Sequence, residues 1–168
     1  MADFYQNGTI TTLHNLGARS TEDLEKDLMS FSERRKLGLI LPSLYSEIQT
    51  PALPAIIREL QSVPYLSQIV IGLDRASQSE YEHALTFFSA LPQHHRILWN
   101  DGPRLKAIDE RLQEAGLAPT ELGKGRNVWY CMGYVLATGR AEAIALHDCD
   151  ILTYDRSLLA RLIYPVAH

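Results

Sequence analysis

"AIALHDCDIL", residues 143–152, is an apolar run that ends in two carboxylates one residue apart, Asp148 and Asp150, and then turns apolar again. Short and bounded by acids, it reads as a buried strand with polar groups at its carboxyl end. Side chains alternate along an extended segment, so Asp148 and Asp150 point one way and His147 and Cys149 the other. Two carboxylates on one side repel unless a cation or basic group lies between them. Magnesium or manganese, held by one or two carboxylates with phosphate oxygens and water, meets that need. The plainer alternative is a solvated acidic turn, with one aspartate capping a helix that begins near Asp155. His147 is expected to pack rather than to ligate.

The same pattern of strand, turn and helix recurs upstream. Leu37 to Leu41 is an apolar run closed by Pro42, "SQIVIGLD" ends at Asp74, and "HRILWN" is a weaker third strand. Amphipathic segments alternate with these runs. The first starts between Ser20 and Asp23 and carries Leu24, Leu28 and Phe31 at helical spacing. "PALPAIIRELQSV" has its prolines near the start, where a helix tolerates them. "SEYEHALTFFSAL" sets Tyr81, Ala84, Leu85 and Phe88 on one side. "PRLKAIDERLQEAG" stops at Gly116, a further helix runs from about Asn127 to Ala137 before Gly139, and "DRSLLARLIY" starts a last one. Trp129, Tyr130, Met132 and Val135 fit a buried helix face. Such alternation predicts an α/β fold, a mostly parallel sheet with helices on both faces. Residues 1–18 lack a period and read as an arm. The division expected is an N-terminal arm and helix over 1–35 and the α/β domain over 36–168.

Composition narrows the function classes. The chain of 168 residues carries a formal net charge of -4, so no broad basic field is present to hold a nucleic-acid backbone. No stretch approaches the roughly 20 apolar residues of a membrane span, and the acidic start is unlike a secretory signal. Cys131 and Cys149 show neither metal-ligand spacing nor a disulfide framework, which points to a cytoplasmic protein.

In parallel sheets ligands bind beyond the carboxyl ends of the strands, where the strand order reverses. Four strand ends are rich in polar groups: Pro42–Glu47, Asp74–Ser77, Asn100–Asp101 and Asp148–Asp150. "GKGRN", residues 123–127, opens a helix one loop before the acidic triplet. Its glycines let the backbone approach an anion, and Lys124 and Arg126 add charge. It is not a Walker A loop, because Gly125 follows Lys124. A flexible glycine turn with a solvated lysine is the bland alternative. In "LPSLYSE", Ser43, Tyr45 and Glu47 could hold a ligand or simply cap the next helix. Asp74 could bond a nucleobase or ribose, or could simply end its strand.

"LILPSLYSE", "IVIGLDRAS", "GKGRN" and "AIALHDCDI", in this order, resemble the nucleotide-sugar half of GT-A glycosyltransferases. The nearest group is that of the retaining glucosyl-3-phosphoglycerate and mannosylglycerate synthases, over roughly residues 36–165. The resemblance implies a Rossmann-like GT-A fold and a nucleoside diphosphate sugar donor. It also implies Mg2+ or Mn2+ as cofactor and a small acceptor such as a phosphoglycerate. On that pattern Pro42, Ser43 and Leu44 border the nucleobase and ribose, with Glu47 the acid of that loop. Ser77 and Lys124 contact the nucleotide, Asp148 lies on the ribose side, and Asp150 holds the metal. Cys149 replaces a serine or alanine, with its backbone making the contact. The chain has Tyr45-Ser46-Glu47 where the group often has Asn-Glu-Glu.

That group continues past the triplet with an acceptor-binding half and a histidine completing the metal site, so the chain is expected to be truncated. Its catalytic residues are then expected in the missing half. A cut after "RLIYPVAH" is expected to expose Leu158, Leu159, Leu162, Ile163 and Tyr164 and to drive self-association. Other readings of the same motifs are a nucleotidyltransferase and a non-catalytic nucleotide-binding module. The first lacks its glycine-rich basic signature after strand one. A haloacid-dehalogenase phosphatase would carry its triplet near the N-terminus.

Overall fold

The computed structural model describes residues 19–168; the expected arm over 1–18 lies outside them. Four strands, β1 (Leu37–Leu44), β2 (Leu66–Asp74), β3 (His95–Trp99) and β4 (Ala143–Leu146), form one sheet in the order β3-β2-β1-β4. Every pairing is parallel. Six α-helices accompany them: α1 (Thr21–Arg34), α2 (Ala52–Leu60), α3 (Gln78–Phe88), α4 (Pro103–Glu114), α5 (Lys124–Thr138) and α6 (Arg156–Ala167).

Strand alternation divides the core. Leu39, Leu41, Ile69 and Ile71 point into a large cluster with side chains of α1, α2, α3 and α6. Ile40 and Val70 point into a smaller one with Cys131 and Val135 of α5. Buried on both faces, β1 and β2 must be apolar at nearly every position, which is why they read as continuous runs.

Several boundaries depart from the sequence reading. Pro42 does not close β1; the strand runs on to Leu44, with Pro42 opposite Gly72. Its missing N–H costs nothing there. His147 N donates to Ile40 O, so the even positions of β1 face β4, and β4 pairs only as far as Ile40. On α5 only Tyr130 and Val135 of the four expected residues are buried. Asn127, Cys131 and Val135 form the stripe facing the sheet, which turns Trp129 and Met132 outward. Leu85 is likewise exposed on α3.

The expected C-terminal patch does not exist as drawn. Leu159 and Ile163 are wholly buried and only Leu162 is exposed, because α1 packs along α6. Arg19 and Asp27 of that region meet Tyr164, Arg19 by a 2.7 Å hydrogen bond and Asp27 by one of 2.8 Å. The surface from which self-association was expected is therefore mostly covered.

Candidate nucleotide and metal site

From β1 the chain moves through β2 to β3 on one flank and returns to β4 on the other, so the order reverses between β1 and β4. The carboxyl ends of these two strands are where ligands of such sheets bind. There the burial pattern of β4 continues past its last paired residue. His147 and Cys149 are buried, Asp148 is half-buried and Asp150 is exposed. β4 ends at Leu146, and Cys149 and Asp150 already lie in a turn, so burial alternates along the triplet outside the strand itself.

The inward side of the triplet is anchored in the core. His147 Nδ1 lies 3.0 Å from the Tyr154 hydroxyl, and burial holds its imidazole down at about 4, against the pull of Asp148. It is neutral at pH 7 and packs in the core against Tyr154. Burial, with Glu47 nearby, drives the Cys149 thiol far up despite a hydrogen bond involving Ser43. Its sulfur is therefore protonated and unreactive.

The glycine loop is already helix. Lys124 is the first residue of α5, three positions earlier than the sequence indicated, and Gly123 enters it with φ 134°. That value lies in a region L side chains rarely adopt, so glycine is required there. Lys124 forms an ion pair with Asp148 across the sheet edge. The glycine loop and the acidic triplet therefore meet at this sheet edge. Arg126 does not share the role: its guanidinium pairs at 2.7 Å with Asp109 of α4, which also accepts from Tyr130 and Gln113. Asn127 donates to Gly72 O at 2.8 Å and fixes the start of α5 against β2.

The remaining strand ends are built by local bonds. Ser43 is buried and donates to Leu44 O at 3.0 Å, while Leu44 N donates to a Glu47 carboxylate oxygen at 2.9 Å. Glu47 thus shapes the short 3-10 turn over Tyr45–Gln49, where Tyr45 meets His83 at 3.0 Å. Asp74 ends β2 in register with Leu44. Arg75 follows with φ 54°, the one non-glycine residue at positive φ among those described. Ala76 fixes that turn, donating to Asp101 at 3.0 Å and accepting from the Trp99 indole at 2.7 Å. Ser77 caps α3 in a reciprocal capping box with Glu80. Among the described residues no hydrogen bond or ion pair joins Ser77 to the triplet.

Among the described residues no group of three or more His, Cys, Asp or Glu side chains is placed to hold a metal. Two neighbouring carboxylates suit Mg2+ or Mn2+, which take the rest of their shell from water and phosphate. That chemistry fits this pair, with most of the shell left to water and phosphate.

No family model matches the chain. Along its whole length it is 50% identical to the glucosyl-3-phosphoglycerate synthase of Persephonella marina, of which it covers 42%. The chain is similar to part of a glucosyl-3-phosphoglycerate synthase. The corresponding synthase of Methanococcoides burtonii is 40% identical over 165 residues, covering 98% of the chain and 40% of that protein. The chain thus spans less than half the length of these synthases. Its fold is that of the solved Mycobacterium tuberculosis glucosyl-3-phosphoglycerate synthase, with TM-score 0.55 at 14% identity over 85% of the chain and 44% of that structure. A second structure of that synthase contains Mn2+, uridine diphosphate and glucosyl-3-phosphoglycerate; it matches with TM-score 0.54 at 14% identity over 85% and 43%. Among the described residues no helix is long and apolar enough to cross a membrane.

Sequence reasoning missed Tyr154, Asn127 and Asp109. Tyr154 lies seven residues past His147, a spacing with no periodic signature across a turn. Asp109 is buried, and nothing in the charged pattern of its helix marks it.

Proposed function

We propose that this chain forms the donor half of a metal-dependent hexosyltransferase that uses a nucleoside diphosphate sugar. The observation that carries the reading is the meeting of Lys124 with Asp148, beside Asp150, at the reversal point of a GT-A sheet. Support comes from the whole-length similarity to glucosyl-3-phosphoglycerate synthases and from the Mn2+ and uridine diphosphate in a structure of the same fold. By the same likeness the acceptor is a phosphoglycerate. The place we assign is the cytoplasm, in keeping with two free, buried cysteines.

In this reading Pro42, Ser43 and Leu44 border the nucleobase and ribose, with Glu47 shaping that loop and Asp74 and Ser77 at its rim. Asp148 faces the ribose, the Cys149 backbone lies behind it, Asp150 and Asp148 hold the metal, and Lys124 takes the diphosphate. A divalent cation bound there offsets charge on the departing nucleoside diphosphate. Lys124 supplies a second positive charge, and the half-exposed Asp148 leaves it free to turn to phosphate. The test of binding is thermal: uridine diphosphate should raise the melting temperature in Mn2+ and much less in chelator. Equal shifts in both would remove the metal from the account.

The ion pair gives Lys124→Met two effects of opposite sign. Losing a charge-assisted phosphate contact should weaken uridine diphosphate by about ten- to a hundredfold, roughly 1.5–3 kcal/mol, with less effect on uridine. Mn2+ alone should bind a few-fold tighter, since the ammonium no longer competes for Asp148. Calorimetry with each ligand reads both. Equal losses for diphosphate and nucleoside would mean that Lys124 shapes the loop and does not touch phosphate.

A further inference from the structure

The triplet lies on a turn whose two ends are fixed by backbone contacts. At the near end His147 N donates to Ile40 O at 3.1 Å. At the far end the Asp155 carboxylate caps α6, accepting from Ser157 N at 2.7 Å and Leu158 N at 3.2 Å, and Arg156 N donates to Glu59 at 3.3 Å. Between them Cys149 is buried and Ile151 partly so, while Asp150, Leu152 and Thr153 stand in solvent. The outer limb of the turn returns to the core at one residue, Tyr154, which is buried in the main cluster. Its hydroxyl meets His147 Nδ1 at 3.0 Å, and the two rings pack edge to face at 5.4 Å.

This bond is a poor device for stability alone. His147 Nε2 is buried and has no hydrogen-bond partner among the described residues. An imidazole and a phenol in an apolar core, with one polar atom left unpaired, can be replaced by an apolar pair of similar shape at little or no cost in stability. What the pair supplies is direction: it fixes the distance across the turn, from the residue before Asp148 to the residue that closes the loop after Asp150.

We propose that Tyr154 is a positioning residue, whose hydroxyl, held by His147, sets the separation and aim of the Asp148 and Asp150 carboxylates. The proposal rests on the donor-site reading above. Direct hydrogen-bond partners of metal ligands change affinity by about 10–100-fold when lost, and Tyr154, one residue further removed, should act at the lower end of that range. Tyr154→Phe keeps the ring and deletes the bond. It should lower the gain in uridine diphosphate affinity produced by Mn2+ about tenfold, leave the affinity in chelator unchanged, and lower the melting temperature.

A double variant separates geometry from stability. His147→Leu with Tyr154→Phe removes both polar partners, so the melting temperature should recover while the Mn2+-dependent gain stays low. Calorimetry of uridine diphosphate with Mn2+ or chelator, beside thermal melts, provides every reading. An undiminished gain in Tyr154→Phe overturns the proposal, and so does a gain that recovers with the melting temperature in the double variant. If the unaltered chain shows no Mn2+-dependent gain, the donor-site reading itself fails and takes the positioning role with it. A gain in the unaltered chain that Tyr154→Phe leaves intact refutes the positioning role alone.

Discussion

Asp150→Ala should abolish the Mn2+-dependent part of nucleoside diphosphate binding while leaving the fold intact. Asp150 is exposed at the end of the triplet, and its carboxylate makes no hydrogen bond or ion pair among the described residues. Its removal therefore costs packing little, within the roughly 0.5 kcal/mol of an ordinary surface substitution. On the proposed site the metal, by contrast, would lose one of its two protein carboxylates. We expect at least about a hundredfold loss in the affinity for uridine diphosphate in Mn2+, roughly 2.7 kcal/mol. Affinity in chelator should be unchanged. Calorimetry on the variant with unchanged Mn2+-dependent affinity would reduce the triplet to an acidic turn.

Gly72→Ala should produce the largest loss of stability. A Cβ there would lie 1.7 Å from Asn127 Oδ1 and 2.7 Å from Cys131 Sγ. Neither neighbour can yield cheaply, since both are buried on the face that α5 presents to the sheet. Asn127 would have to abandon Gly72 O, adding an unpaired buried amide to the overpacking. Together these cost about 2–6 kcal/mol, a large share of a total stability near 5–15 kcal/mol. The urea midpoint should fall accordingly, and adding Asn127→Ala should restore part of it by clearing the space. An unchanged midpoint would show that α5 is not seated as described. Because Lys124 begins that helix, the same substitution should also weaken diphosphate binding.

The architecture was legible because β1 and β2 are apolar at nearly every position and alternate with helices, so the parallel sheet followed from strand burial. The position of the two carboxylates just past a strand was legible because the apolar run of β4 stops directly before them. That Lys124 reaches Asp148 was only an expectation of proximity, and the pairing depends on the crossover from β3 to β4, which no local pattern encodes.

Errors arose where tertiary contacts override local signals. Pro42 looked like a stop because proline lacks an N–H, but β4 is too short to need one from that position. The glycines around Lys124 argued for a loop, yet Asn127 bonded to Gly72 O supports a helix from Lys124 onward. The α6 residues looked unpartnered because α1, more than a hundred residues away in sequence, supplies their cover. Arg126 looked free because its partner Asp109 belongs to another helix.

The measurement closest to the central claim is an amide nuclear magnetic resonance spectrum of the labelled chain with uridine diphosphate, before and after Mn2+ is added. Paramagnetic broadening reports where the ion sits. The account predicts loss of signal centred on Asp148–Asp150, extending to Lys124 and Leu44 and sparing α1 and the middle of α4. Broadening centred elsewhere, or none at a nucleotide concentration that saturates binding, would contradict it.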